Sequence, residues 1–510
     1  MIPLLLIVPL MAPTISDIKF DPERGKKFEP VELSFNLKAD FKNPFDVKQI
    51  DAHFLITGPQ DLSAEQPAFY CQDYDVVTRA DGTQTVVAKG SPTWKMRFAP
   101  WRQGVYSLFP VAVDPVGRFD GKKIDVRADD STFAPFITVK EKEQYFRIDK
   151  EALFPIITEF KRDARQRYDF AAACQTARQS GANTLFVNLG SQFRLEPSLG
   201  QYDMAEFWAV DQLIAVARKQ GLYLLLALED GASLTKNWAT NPYNAKNGGP
   251  CAKSEEFWTS IKARIAYKNK IRHLVSRITA NNNLLGVQFF AGIQAPDYWV
   301  LEMMVEFLAH HTYGVPMSSA VGDSAFWKLK QTGFACIEIE PAPTAAQTAE
   351  RIANAVSETK KLTDKPILCE LSKQGINDDV AGVSAWASLV SGASSAIVPE
   401  GSRFGEAVAE YASRVGWLRE KRTAQRLAAP TNSFAQAFVG NGGGIALFAG
   451  QHTAGDVSLE IGVNRDKQYR VEWFDIQTGA TLATGEFSSD KRILRLTVPH
   501  SAHGSACIFR

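Results

Sequence analysis

The sequence predicts a multidomain α/β and all-β protein, in which a (β/α)8 barrel stands between two antiparallel β-sandwiches. Residues 17–142 carry short alternating apolar runs separated by turn residues, which is typical of antiparallel strands. Residues 143–425 alternate apolar runs with amphipathic helical stretches, which is typical of parallel β/α units. Residues 426–510 return to the strand pattern, and a chain of 510 residues is long enough for about three domains.

The chain begins with an apolar segment, MIPLLLIVPLMAPTIS. Its apolar run at 2–11 is shorter than the about 20 residues that a membrane-spanning helix needs. It resembles the apolar part of a secretory signal, although no Lys or Arg precedes Lys19. We interpret residues 1–16 as a candidate signal peptide. The protein is therefore expected to be secreted, periplasmic or at the cell surface, with no integral membrane span.

The N-terminal region, residues 17–142, contains five strand-like runs and three short motifs. The motifs are NPFD at 43–46, PAFY at 67–70 and WKMRFAP at 94–100. We interpret most of their residues as turn and core positions of a β-sandwich. The predicted strands are 33–41, 52–56, 83–88, 94–100 and 104–113.

Eight apolar runs in residues 143–425 predict the strands of a TIM barrel. One intervening helix shows the expected spacing, with a single apolar face from Phe207 to Ala217 that includes Val210, Leu213 and Ile214, and Gly221 ends it. The runs are 153–158, 184–189, 222–228, 284–290, 315–321, 335–340, 366–371 and 394–399.

Composition excludes several classes of partner. The net charge of +1, with no long run of one sign, argues against nucleic-acid binding. The six cysteines show no metal-ligand spacing and do not form a disulfide framework, so no metal and no cofactor is expected. Cys336 and Cys369 lie inside apolar runs and are predicted to be buried thiols. In the C-terminal region, Gln477-Thr478-Gly479 predicts a hairpin turn. The sequence leaves the oligomeric state open.

An ordered series of motifs resembles the cellulase-like glycoside hydrolases of clan A, and the resemblance covers essentially the whole chain. It includes an N-terminal β-sandwich of uncharacterised type and a C-terminal β-sandwich. Its most specific part is the segment from Leu195 to Pro250. The resemblance implies a polysaccharide or oligosaccharide partner and a site at the carboxyl ends of the barrel strands. The landmarks are Leu195-Glu196-Pro197, Gly200, Tyr202-Asp203, Asp211, Trp238, Asn241-Pro242-Tyr243-Asn244 and Asn247-Gly248-Gly249-Pro250.

The strand ends depart from the pattern that the resemblance implies. An Asn-Glu pair, whose Glu is the general acid/base, is expected after strand four, but the chain has Ala291-Gly292. Glycoside hydrolysis normally needs one carboxylic acid and one carboxylate, and Gly292 supplies neither. Phe186 replaces the Arg expected after strand two, and Val398 lies where a Trp is expected after strand eight. We therefore interpret the chain as a non-catalytic carbohydrate-recognition or scaffolding pseudoenzyme.

The alternative is an active O-glycosyl hydrolase that uses relocated carboxylates, Glu338 and Glu370. The Glu of KPILCEL comes one residue earlier than the nucleophile that the resemblance implies on strand seven. We expect a regular strand, which turns Leu371 inward and Glu370 toward the helices, where Glu370 would need a basic partner. In the alternative, a bulge near Cys369 turns Glu370 inward. The acids Asp230, Glu338, Glu340, Glu370 and Glu400 could instead pair with Lys or Arg, or hold a hard cation.

The loop after strand three supplies the remaining candidate substrate-binding residues. Its Trp238, Asn241, Tyr243 and Asn244 suit the apolar face and hydroxyls of a sugar, with Asp230, Glu340 and Glu400 completing the cleft. Asp230 and Glu196 are expected near this loop. The competing interpretation is a structural brace built on Pro242 and the Gly248-Gly249 turn.

Overall fold

A computed structural model of the chain describes residues 12–320, 324–371, 378–402, 404–414, 420–450 and 455–510. Residues 1–11 of the candidate signal peptide therefore lie outside the described residues. Among the described helices, none combines the length and apolar character that a membrane crossing requires. All six cysteines are buried and free, as expected for Cys336 and Cys369.

The N-terminal region forms two sheets that share one apolar core. One sheet has the order β1-β3-β7-β6, and the other has the order β2-β10-β8-β4-β5 with β9 paired to β8. Alternation explains the packing: Val31, Leu33 and Phe35 of β3 point into the core while their neighbours are more exposed. The strands are β1 (Thr14–Asp21), β2 (Gly25–Lys26), β3 (Val31–Lys38), β4 (Asp51–Gly58), β5 (Leu62–Pro67), β6 (Phe69–Thr78), β7 (Gln84–Phe98), β8 (Gly104–Val113), β9 (Arg118–Asp120) and β10 (Ile124–Asp129).

A small three-stranded sheet links this region to the barrel. It consists of β11 (Ile137–Thr138), β12 (Phe146–Ile148) and β13 (Glu151–Leu153). Ile137 and Phe146 share an apolar cluster with barrel residues such as Leu225 and Leu285. The linking sheet therefore packs against the interior of the barrel.

Each of the eight apolar runs predicted for the barrel contains a strand. Six of these strands form one curled parallel sheet in the order β18-β17-β16-β15-β14-β21, and β19 and β20 form a parallel pair. Single backbone bonds join the pair to the sheet, from Gly333 N to Met317 O (2.7 Å) and from Ser394 N to Ile367 O (2.8 Å). The result is a TIM-like barrel. The strands are β14 (Ile156–Glu159), β15 (Thr184–Asn188), β16 (Tyr223–Asp230), β17 (Leu284–Ala291), β18 (Met317–Ser318), β19 (Ala335–Ile339), β20 (Ile367–Leu371) and β21 (Ala396–Ile397).

The described helices surround the strands and follow the predicted amphipathic pattern. In α3 the five predicted apolar positions from Phe207 to Ala217 are all buried, and the Asp203 carboxylate accepts bonds from Ala205 N and Glu206 N at the start of the helix. Gly221, with φ +69°, ends it as predicted. The helices are α1 (Phe170–Gln179), α2 (Leu189–Gln192), α3 (Met204–Lys219), α4 (Glu256–Thr259), α5 (Ile261–Ile278), α6 (Asp297–Ala309), α7 (Ala345–Leu362), α8 (Asp378–Ser391) and α9 (Phe404–Arg414), with 3-10 turns at Trp238–Thr240, Ala245–Asn247 and Ser324–Lys328.

The C-terminal region again consists of strands around its own core. The main sheet has the order β22-β23-β24-β29-β26-β27, and β25 pairs with β28. The predicted turn at Gln477-Thr478-Gly479 connects β26 to β27, and Gly479 has φ +67°. The strands are β22 (Thr423–Arg426), β23 (Phe434–Val439), β24 (Gly444–Ala449), β25 (Ser458–Gly462), β26 (Gln468–Asp475), β27 (Thr481–Ser488), β28 (Ile493–Thr497) and β29 (Ser505–Phe509).

The N-terminal motifs do more than form turns and core, because they also build the contact with the barrel. Asn43 Nδ2 donates to the carbonyl of Gly200 at 2.9 Å, and the Phe45 ring lies 5.0 Å from that of Tyr202. Arg97 contacts Asp211 of α3 at 2.9 Å. The interpretation of these motifs as turn and core alone is therefore too narrow.

Candidate active site

Glu370 lies on the inner face of the barrel. Leu368 belongs to the apolar cluster that gathers Ile157, Leu225 and Leu285 from three other strands, whereas Leu371 packs against the core shared with the helices. Since side chains alternate along a strand, Glu370 shares the inward face with Leu368. The expected orientation, with Leu371 inward and Glu370 toward a basic partner in the helix layer, is wrong.

Glu338 stands beside Glu370 on the neighbouring strand. The two residues are register partners in the parallel pair β19–β20, and adjacent strands lie about 4.8 Å apart. Cys336, two residues before Glu338, belongs to the same inner cluster as Leu368. The structure therefore brings together the two acids that the sequence singled out as a relocated pair.

The environment of Glu370 favours its protonated form. Burial, helped by the Glu338 carboxylate, raises the pKa of Glu370 to about 7, although hydrogen bonding from the Gln288 and Cys336 side chains opposes the rise. Some of the residue stays accessible, but its Oε1 atom is buried and makes no hydrogen bond within the described residues. At neutral pH this side chain can hold a proton.

Two polar residues that sequence reasoning missed line the same inner face. Gln288 of β17 and Ser318 of β18 are register partners and are fully buried. Within the part of the chain that the structure describes, neither side chain of this pair forms a hydrogen bond of good geometry. The Gln288 side chain lies against Glu370 and the Ser318 hydroxyl against the Cys336 thiol, so this pair forms a buried polar floor beside the two acids. The signal was visible in the sequence: Gln288 interrupts the otherwise apolar run LLGVQFF.

The end of strand four holds no carboxylate and has room for one. Gly292 is exposed with φ +69°, and a Cβ placed on it would meet nothing within 4 Å. Its neighbour Ala291 is the register partner of Asp230, which lies at the end of β16. The half-buried Asp230 carboxylate accepts a bond from Ala232 N at 3.1 Å.

The other predicted acids at the mouth are exposed. Glu340 follows β19 directly, and Glu400 lies three residues beyond β21. Glu338 is also exposed, so solvent reaches the pair from this side. Elsewhere in the described ranges, no group of three His, Cys, Asp or Glu side chains is arranged to hold a metal ion.

The loop after β16 uses its predicted sugar-binding residues for its own structure. The Asn241 amide donates to Ser233 O and accepts from Tyr243 N, both at 2.9 Å. Tyr243 is 2% exposed and packs edge-on against Phe257 at 5.0 Å. Trp238 is half-buried and its ring packs against the main core. This placement favours the brace over the predicted contacts with sugar.

A buried ion cluster stands behind the same loop. Lys270 Nζ lies 2.9 Å from Glu229 Oε2 and 3.9 Å from Glu196 Oε2. Burial raises the pKa of Glu196, and Lys270 together with the 2.8 Å bond donated by Gly200 N opposes the rise. Glu196 thus lies near the loop as expected, but as part of a buried cluster.

We expect Asn244→Ala to destabilise the fold by about 1–2 kcal/mol. Its buried amide donates to Trp238 O and accepts from Lys246 N, both at 3.0 Å, and alanine leaves both groups without this partner. The measurement is urea unfolding together with the rate of proteolytic cleavage within residues 233–251. Asn237→Ala, at an exposed position whose side chain caps no helix, is the matched control. Unchanged stability with lost polysaccharide binding would restore the predicted sugar contact.

Known proteins resemble the chain in fold more than in sequence. No protein-family model matches it. Mannan endo-1,4-beta-mannosidase 3 of rice (Oryza sativa subsp. japonica) is 31% identical over 136 residues, which are 25% of this chain and 27% of the rice protein. The matched segment thus spans only about a quarter of that relative.

Two solved structures from Bacteroides vulgatus share the fold more completely. A candidate glycoside hydrolase superposes with a TM-score of 0.68 at 11% identity, covering 95% of this chain and 99% of that one. A family 5 glycoside hydrolase superposes with a TM-score of 0.53 at 13% identity, covering 74% of this chain and 95% of that one. The chain therefore has the fold of these glycoside hydrolases, as the resemblance implied.

Proposed function

We propose that the chain hydrolyses glycosidic bonds with the Glu338–Glu370 pair. The observation that carries the proposal is the inward orientation of Glu370 beside Glu338, with a pKa raised to about 7 by burial and by that neighbour. A carboxyl group with such a pKa in a polar, accessible mouth is a typical general acid.

The chemistry follows from the two environments. Glu370 donates its proton to the glycosidic oxygen as the C1–O bond breaks, and the exposed Glu338 carboxylate attacks C1 to form a glycosyl ester. Water then attacks C1 and gives its proton to the Glu370 carboxylate, which releases the sugar and restores both acids. Retaining enzymes hold their carboxyl groups about 5–5.5 Å apart, and adjacent strands about 4.8 Å apart support such a pair. The buried Gln288 side chain lies against Glu370 and helps to hold the acid in position.

A second function, sugar binding without hydrolysis, is supported by Gly292. Gly292 occupies the position where the acid/base glutamate is expected, and it is exposed with φ +69°. Under this proposal the mouth still binds a polysaccharide through its accessible side chains, Asp230, Glu338 and Glu340.

The deciding experiment is a hydrolysis and binding screen with matched variants. The polysaccharide to test first is β-1,4-mannan, because the rice protein that shares a segment with this chain is named as a mannan endo-1,4-beta-mannosidase; xylan and mixed-linkage β-glucan are added. We expect release of reducing ends by the natural chain and a loss of at least ~10²-fold in Glu338→Gln.

Glu358→Gln is the matched control, since Glu358 is an exposed carboxylate of α7 and lies outside the acid pair and the candidate cleft residues. Binding without release of reducing ends would support the recognition function. Hydrolysis that survives both Glu338→Gln and Glu370→Gln would show that the reaction takes place elsewhere.

A further inference from the structure

A groove of about 740 Å³ lies on the N-terminal region at its border with the barrel. Phe28 and Trp101 line it, together with Pro59. The exposed side chains of Gln60, Arg102 and Gln103 stand at its edge. Rings together with amide and guanidinium donors are the side chains that bind a pyranose, through its apolar face and its hydroxyls.

The two half-buried rings of the groove are held by two buried ones. Phe28 packs edge-on against Phe136 at 6.1 Å, and Trp101 packs edge-on against Tyr313 at 5.5 Å. Phe136 and Tyr313 stack on each other at 4.7 Å. This chain of four rings fixes Phe28 and Trp101 before any ligand arrives, which lowers the entropy cost of binding. The Lys27 ammonium lies over the Phe28 ring at 5.3 Å from its centroid, so Trp101 is the main stacking ring of the groove.

The backbone around the groove is held in an unusual conformation. Phe28 and Gln60 are non-glycine residues with φ of +67° and +59°. Phe28 N donates to Pro100 O at 2.6 Å, and Ala99 N donates to the Tyr313 hydroxyl at 2.9 Å. Such strained residues persist where the surrounding structure fixes them, and they often mark ligand sites.

The groove is distinct from the mouth of the barrel. Tyr313, which supports Trp101, precedes β18 and therefore lies at the amino end of that strand. Glu338 and Glu370 lie toward the carboxyl ends of their strands. A sugar in the groove is thus at the opposite end of the barrel from the acid pair.

We propose that this groove is a second carbohydrate site, which anchors a neutral polysaccharide on the Trp101 ring with Phe28 beside it. The amides of Gln60 and Gln103 and the Arg102 guanidinium donate to its hydroxyls. A neutral chain is favoured because Lys27, the other cation of the groove, is paired with Asp130 at 2.6 Å. The site requires no hydrolysis and does not depend on the proposed reaction.

The test is affinity electrophoresis of the full chain in three soluble neutral polysaccharides, galactomannan, xylan and mixed-linkage β-glucan, and in polygalacturonate as the charged alternative. All variants carry Glu338→Gln and Glu370→Gln, so that the polysaccharide stays intact. We expect Trp101→Ala to weaken binding to at least one polysaccharide by ~10-fold or more, about 1.4 kcal/mol. Trp101→Phe keeps a ring against Tyr313 and should retain binding within about 3-fold of the parent.

Two further variants keep the test decisive if Trp101→Ala folds poorly. Gln103→Ala removes an exposed amide without touching the rings and should weaken binding by about 3-fold, the loss of one modest hydrogen bond. Phe487→Ala, at a half-buried ring of the C-terminal region, should leave it unchanged. Unaltered binding in both Trp101→Ala and Gln103→Ala would overturn the proposal, as would an equal loss of binding in Phe487→Ala. Binding to polygalacturonate alone, or a parent that binds none of the three neutral polysaccharides, would also overturn it.

Discussion

Replacing Asp211 by asparagine is expected to destabilise the fold by about 3–5 kcal/mol. The Asp211 carboxylate lies between two guanidinium groups, at 2.9 Å from Arg97 and 2.6 Å from Arg277. Arg277 is only 2% exposed, and Arg97 is largely buried at the contact between the N-terminal region and the barrel. Asparagine keeps the shape of the side chain but removes the charge, so both cations lose a shared buried partner.

The pKa of Asp211 points in the same direction. Burial alone would raise it, but Arg277 and Arg97 outweigh burial and hold the pKa below its ordinary value. The contribution of the carboxylate is therefore present above the ordinary pKa of an aspartate and is lost as the pH falls through the lowered one. Urea unfolding at pH 7 measures the expected loss.

A matched control separates this buried network from ordinary surface charge. Asp75 pairs with Lys89 at 3.0 Å, but both side chains are more than 60% exposed. Asp75→Asn should change the free energy of unfolding by no more than about 0.5 kcal/mol. A cost below about 1 kcal/mol for Asp211→Asn would show that solvent reaches the contact and replaces the lost charge.

The sequence predicted the barrel well because its strands are continuous apolar runs. Short runs such as LYLLLAL are buried on both faces and alternate along the chain with amphipathic helical stretches. This pattern is typical of parallel strands that are covered by helices. The same property hid the orientation of Glu370. In PILCEL both faces are apolar, so alternation could not show whether Leu368 or Cys369 points inward, and the resemblance favoured the wrong register.

Local polar chemistry was ambiguous for a different reason. An asparagine beside aromatic residues suits a sugar, but it equally suits its own backbone. Asn241 accepts from Tyr243 N and Asn244 accepts from Lys246 N, each two residues ahead, which is the Asx-turn pattern. That spacing was available in the sequence and favoured the brace.

Long-range contacts could not be predicted from one sequence. Arg97 and Asp211 are 114 residues apart, and each alone looks like a surface charge. Likewise, Gln288 and Ser318 become a polar pair only when β17 and β18 align. By contrast, the missing carboxylate at Gly292 needs no structure to be seen, and the structure adds only its open surroundings.

Replacing Glu370 by glutamine is expected to stabilise the fold at alkaline pH by about 2–3 kcal/mol. A rise of its pKa from 4.5 to about 7 corresponds to about 3 kcal/mol between the protonated and ionised forms, and partial access to solvent lowers this slightly. Because the pKa is raised in the folded state, the stability associated with the protonated form is fully present below pH 4.5 and is lost as the pH rises through about 7. Glutamine keeps the neutral shape at every pH.

Urea unfolding at pH 5 and pH 9 distinguishes this cause from a general effect of the substitution. We expect Glu370→Gln to exceed the natural chain by no more than about 1 kcal/mol at pH 5, where the native carboxyl is still protonated but the unfolded one is already partly ionised, and by about 2–3 kcal/mol at pH 9. Glu340→Gln, at an exposed carboxylate nearby, should show no such difference. If Glu370→Gln were less stable than the natural chain at pH 9, the ionised carboxylate would have to be stabilised by a partner, and it could not then serve as the proton donor of the proposed reaction.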